Sequence, residues 1–200
     1  MKQALIIFVR NPVLGNVKSR LAATVGEERA LAIYKKLLQH THTVSQNIAA
    51  DKFIFYEDFL NEKDIWENDI YTKLLQEGND LGMRMKQAFS KLLFDGYQEI
   101  IIIGSDCYEL TTTILTDAFN ALTMADIVIG PASDGGYYLL GMKEFIPALF
   151  EDKSWSSETV YTDTIKQASQ LNYTLTSLIT LNDVDVESDI DFSRLEGLNS

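Results

Sequence analysis

A chain of 200 residues with 46% apolar and 23% charged residues can bury one sizeable core, and its three prolines leave little room for an extended linker. One domain over residues 1–200 is therefore expected, and the formal charge of −12 excludes a nucleic-acid partner, because such affinity rests on Lys and Arg neutralising the phosphate backbone. The lone Cys107 excludes an internal disulfide, the opening apolar run is shorter than a signal-peptide core, and no transmembrane segment of roughly 20 apolar residues exists, so a cytoplasmic protein is expected.

Residues 4–9 form a nearly unbroken apolar run rich in Ile and Val, the pattern of a strand buried on both faces. A loop with Pro12 and Gly15 follows, and Glu27 and Glu28 then open a helical period through Leu31, Tyr34, Leu38 and Ile48. His40 and His42 stand two apart on that helix, which predicts two surface positions and no metal pair. Strands are expected at 52–56 and 71–75, separated by an acidic stretch at 62–69 without periodicity. Met85, Ala88, Phe89, Leu92 and Leu93 define one face of a helix that Gly96 ends. Residues 99–104, with four consecutive isoleucines, give the clearest buried strand, and Thr111 caps the helix after it. Further strands at 126–130, 137–142 and 174–181, a helix at 158–171 and a last short helix after Asp189 complete the reading. Such alternation predicts an α/β protein with a mostly parallel sheet between two layers of helices.

In sheets of that kind ligands bind beyond the carboxyl ends of the strands, and four segments lie there. The first runs from Arg10 through Gly15 to Lys18 and Arg20, whose cations suit a phosphate, although the spacing matches neither a Walker loop nor a dinucleotide turn. Asp106 ends the isoleucine strand, where a carboxylate can ligate a hard divalent cation or cap a turn. Asp134, Gly135, Gly136, Tyr137 and Tyr138 make a turn that permits close approach of a ligand, or simply packs its tyrosines in the core. Asp183 and Asp185 alternate on one side of an extended segment, the arrangement of a metal pair or of a solvated acidic loop. Cys107 has no base nearby in sequence and is not expected to be a nucleophile.

Taken together, the Pro12–Gly15–Lys18–Ser19–Arg20–Leu21 loop, the Gln76–Gly78–Asp80–Leu81–Gly82–Arg84–Met85 stretch, the Gly104–Ser105–Asp106–Cys107 strand end and the Gly130-to-Tyr138 turn resemble the bacterial GT-A-type glycosyltransferase-like family. Trp155 with Ser156 and Ser157, and the Asp183–Val184–Asp185 segment, are similar to its late motifs. The resemblance spans nearly the whole chain and implies a nucleotide-diphospho-sugar transferase fold, related to molybdenum-cofactor and phospholactate guanylyltransferases. It implies that Arg10, Gly15, Lys18, Arg20, Asp80 and Arg84 meet the nucleotide, that Mg²⁺ or Mn²⁺ sits on Asp106, Asp183 and Asp185, and that Gly135, Gly136, Tyr137, Tyr138 and Trp155 face a small acceptor. Catalysis would fall to Asp106, Asp134 and Lys18. Two departures stand out: Arg10 replaces a common Lys, and Tyr108 replaces the usual Pro after Gly-Ser-Asp-Cys. The expected function is metal-dependent transfer from a nucleotide-activated sugar, with nucleotidyl transfer from a triphosphate and a non-catalytic nucleotide-binding module as alternatives.

Overall fold

The computed structural model describes residues 1–155 and 157–190. The short helix expected after Asp189 falls largely on residues 191–200, outside the described residues, as does Ser156. The described elements run β1 (Gln3–Val9), α1 (Ser19–Val25), α2 (Glu27–Ser45), β2 (Asp51–Tyr56), β3 (Tyr71–Leu75), α3 (Leu81–Phe94), β4 (Glu99–Ile103), α4 (Thr112–Met124), β5 (Ile127–Pro131), β6 (Tyr137–Met142), α5 (Val160–Gln170) and β7 (Leu175–Ser177), with a 3₁₀ turn at Pro147–Phe150.

The strands form one seven-stranded sheet in the order β3-β2-β1-β4-β6-β5-β7. All neighbours pair in parallel except β6, which lies antiparallel to both β4 and β5. The central strands are apolar on both faces because each face carries its own core. Leu5 and Ile7 of β1 with Ile101 and Ile103 of β4 pack beneath α1, α2 and α4, while Ala4, Ile6, Ile100 and Ile102 pack toward α3 and α5. The expected three-layer α/β/α architecture is therefore present.

Some local expectations change. Helix α1 is an addition: it has no side-chain cap, and its start is Lys18 in a left-handed conformation at φ 49° and ψ 49°. The strand expected over 174–181 pairs over only three residues, and the chain then touches the sheet once more where Leu181 bridges Ala132. The histidines are not surface residues. His42 is buried and shares a 2.8 Å hydrogen bond with Glu67, and His40 is half-buried with Nε2 2.8 Å from the Leu110 carbonyl. Both are covered because α2 is packed on its flanks by the 57–70 loop and by the approach to α4, as well as by the sheet. That loop is tied down by Asn11, whose Nδ2 donates to Asp58 at 2.6 Å, and by Lys73, which pairs with Asp64 at 2.8 Å.

Candidate functional site

At the carboxyl ends of the strands lies a cleft of about 690 Å³, centred where β1 and β4 meet. There the chain heads from β1 toward one edge of the sheet, through β2, and from β4 toward the other, through β5, and the loops after the two strands border the crevice between them. Lys18, Asp106 and Asp185 converge at its centre. Lys18 Nζ lies 2.9 Å from Asp106 Oδ2 and 3.8 Å from Asp185 Oδ1, and the lysine side chain is only 8% exposed. Arg20 holds the other oxygen of Asp185 at 2.7 Å from a far more exposed position.

Local folding explains this convergence. The left-handed backbone at Lys18 turns its side chain back between the strand ends, a conformation that costs a non-glycine residue roughly 1–3 kcal/mol and persists only where surrounding contacts enforce it. The Val184 amide donates to the Asp106 carbonyl at 3.0 Å, which brings both Asp183 and Asp185 beside the end of β4. Burial of Lys18 works against its ammonium, but the charge and hydrogen bond of Asp106, with Asp185 and Asp183 beyond, outweigh it and raise its pKa. Asp183 shows the opposite balance: burial, then the charges of Asp106 and Asp134, push its carboxyl well above the usual carboxylate range. Its Oδ1 is buried without a partner among the described residues.

Two walls flank this centre. On the β1–β2–α3 side, Glu57 at the end of β2 accepts from both Arg10 and Arg84, the latter at 2.6 Å, while Arg84 Nε also donates to the Gly78 carbonyl at 3.2 Å. Gln76 spans the strand ends by donating to the Phe55 carbonyl at 2.9 Å and the Val9 carbonyl at 3.4 Å. A second wall is aromatic, with Tyr137, Tyr138 and Trp155, and it meets the first at α3. Trp155 lies against Gly82 and Tyr138 against Gly130, each so close that a Cβ on the glycine would collide with the ring. The Tyr138 hydroxyl donates to the Ile179 carbonyl at 3.1 Å, whereas the Tyr137 hydroxyl meets only the Met85 thioether at 3.7 Å. Asp134 Oδ1 accepts from the Gly136 amide at 2.8 Å.

Of the residues the sequence singled out, Arg10, Lys18, Arg20, Arg84, Asp106, Asp134, Gly136, Tyr137, Tyr138, Trp155, Asp183 and Asp185 all line this one cleft. Gly15, Asp80 and Gly135 do not. Gly15 turns the first loop at φ 79°, Asp80 caps α3 by accepting from the Met83 amide at 2.8 Å, and Gly135 at φ 89° gives room to the Glu158 backbone. Glu57 and Tyr34 were missed as site residues, and Gln76, part of the stretch that carries the resemblance, was given no role there. Tyr34 accepts from the Arg10 amide at 2.9 Å and lies 3.3 Å from Ser105 Oγ, so a buried tyrosine of α2 joins the loops after β1 and β4. Glu57 directly follows a strand, so the strand-end rule that found Asp106 would also have found it. Burial pushes the Cys107 thiol far up, consistent with no nucleophilic role.

The carboxylates of the cleft are candidate ligands for a divalent cation. Among the described residues no three Asp, Glu, His or Cys side chains already stand at metal-binding spacing. Yet Asp106 and Asp185 share one cation, the Lys18 ammonium, and the orphaned Asp183 oxygen is a hard donor without a partner. The donor set therefore fits Mg²⁺ or Mn²⁺ in chemistry, with an ammonium in its midst.

Residues 38–157 match the family model described as "Uncharacterized protein conserved in bacteria (DUF2064)". No protein with a curated description matches the chain. Among solved structures, it is similar to a protein of Desulfovibrio desulfuricans G20, provisionally named a nucleotide-diphospho-sugar transferase, with 32% identity and a TM-score of 0.87 over 100% of this chain and 90% of that one. The inositol-1-phosphate CTP transferase of T. maritima shares the fold at 11% identity and a TM-score of 0.57, covering 98% and 94% of the two chains. So does a Mycobacterium tuberculosis H37Rv protein solved with manganese, at 9% identity and 0.51, covering 99% and 100%. Among the described residues no helix is long and apolar enough to cross a membrane.

Proposed function

The chain belongs to the bacterial family described as DUF2064, and from that premise we propose that it is a metal-dependent transferase using a nucleotide-activated sugar. One observation carries the reading: Lys18 pairs with Asp106 and Asp185, and Arg20 with Asp185, beside an oxygen of Asp183 that has no partner among the described residues. The pattern suits a diphosphate, which needs cationic donors and a divalent ion together. The manganese in the M. tuberculosis relative of the same fold is in keeping with it.

In this reading Asp106, Asp183 and Asp185 hold Mg²⁺ or Mn²⁺, which would neutralise charge on the departing nucleoside diphosphate. Lys18 and Arg20 bind phosphate oxygens, and Glu57 holds the guanidinium groups of Arg10 and Arg84 at the same wall. Asp134, oriented by the Gly136 amide through Oδ1, offers Oδ2 to the proton of an acceptor hydroxyl. The acceptor oxygen bonds to the anomeric carbon as its bond to the phosphate breaks, and the proton goes to Asp134.

The test is product analysis with sugar nucleotides and nucleoside triphosphates, each with Mn²⁺ and a panel of small acceptors. Nucleoside diphosphate release from a sugar nucleotide is expected, and Asp106→Asn should reduce it about a hundredfold or more. Pyrophosphate release from a triphosphate would replace glycosyl by nucleotidyl transfer, and nucleotide binding without turnover would leave a binding module. Undiminished Mn²⁺-dependent turnover in Asp106→Asn would refute the metal assignment.

A further inference from the structure

We propose that Lys18 is an internal stand-in for the divalent cation: it holds Asp106 and Asp185 together in the ligand-free site and is exchanged onto the ligand's phosphates when a metal–nucleotide pair enters. Metal and nucleotide then bind jointly. The inference rests on the metal-dependent reading above.

Lys18 Nζ lies 2.9 Å from Asp106 Oδ2 and 3.8 Å from Asp185 Oδ1, so an ion bonded to both carboxylates would press against the ammonium. Two cations so close repel, the more so because the Lys18 side chain is largely buried, and a free metal ion arriving alone meets that barrier. A polyphosphate removes it by giving the ammonium new oxygens. The remaining parts of the site are arranged for such an exchange. Arg20 grips Asp185 from the solvent side at 2.7 Å and can keep that carboxylate in place when Lys18 leaves. The third donor, Asp183, already has a free buried oxygen. Lys18 itself sits in a left-handed conformation at the start of α1, immediately after the loop that Gly15 turns, so a change of one backbone pair re-aims its side chain.

The test is Mn²⁺ titration followed by electron paramagnetic resonance, which reads the free ion, on the wild type, Lys18→Met and Arg20→Met. Each is titrated alone and with uridine or guanosine diphosphate. Without nucleotide, Lys18→Met should bind Mn²⁺ about tenfold more tightly than the wild type, and with nucleotide about tenfold more weakly. Arg20→Met removes the same charge from an exposed position and should change binding of the free ion less than about twofold. Thermal melting checks that the variants fold, and Lys18→Gln serves if the Met variant does not. The exchange is refuted if Lys18→Met binds free Mn²⁺ no more tightly than the wild type, or if Arg20→Met tightens it equally. In either case, joint Mn²⁺–nucleotide binding by the wild type would leave the metal-dependent reading standing. No Mn²⁺ binding by any of the proteins, with or without nucleotide, would defeat that reading and the exchange together.

Discussion

The two walls of the cleft are held by different physics. On the β1–β2–α3 side, Arg10, Glu57, Arg84 and Gln76 are fixed by ion pairs and by hydrogen bonds to strand-end carbonyls. The aromatic wall is fixed instead by contact with backbone, Trp155 at Gly82 of α3 and Tyr138 at Gly130 of β5, where any side chain would collide. A wall of charges can rearrange its pairs when a charged ligand arrives, because exposed pairs contribute little to stability. A wall set by close packing keeps its shape, and it changes only if the packing is broken. In the proposed transferase, phosphate recognition would fall to the first wall and shape recognition of an acceptor to the second.

The strongest challenge to that division is Gly82→Ala. The new methyl group would displace the Trp155 indole, costing about 1–3 kcal/mol, or about 2–4 °C in Tm for each kcal/mol at this chain length. Acceptor KM should rise while nucleoside diphosphate affinity, measured by calorimetry, stays within about twofold; equal losses of both would show that the walls are not separate. A smaller effect is expected from Glu57→Gln, which removes the charge that holds Arg10 and Arg84. Stability should change by less than about 1 kcal/mol, while nucleotide affinity shifts several-fold and becomes more sensitive to salt. Tyr137→Phe should be the mildest in the folded protein. Among the described residues its hydroxyl has only the Met85 thioether as partner, so unfolding in urea should move by no more than about 0.5 kcal/mol. A rise in acceptor KM with unchanged nucleotide affinity would then place that hydroxyl against the acceptor.

Much of the sheet was legible because its strands are short apolar runs bounded by turn residues: 71–75 and 137–142 coincide with β3 and β6. The direction of β6 was not, since alternation of side chains carries no sign of whether a strand runs with or against its neighbours. Helix α1 escaped because seven residues started by a strained lysine lack both a capping side chain and two full turns of periodicity. His42 was misread for a related reason. Helical spacing says which residues share a face, but the partner covering that face here is a loop carrying Trp66 and Glu67, far along the chain. The site was legible to the extent that its residues follow strands: Lys18, Asp106, Asp134 and Asp185 were gathered by that rule before any geometry was known. Tyr34 was illegible as a site residue because it stands in the apolar period of a helix, and only the fold brings its hydroxyl to Arg10 and Ser105.

In the proposed transferase, carboxylates from two separate segments, the end of β4 and the stretch after β7, share one divalent ion with a diphosphate. Anomalous diffraction at the manganese edge, from crystals grown with Mn²⁺ and a nucleoside diphosphate, tests it most directly. A peak within bonding distance of both Asp106 and Asp185, with phosphate oxygens on its other side, is the predicted result. Nucleotide in the cleft with no manganese at those carboxylates, or manganese bound elsewhere, would contradict it.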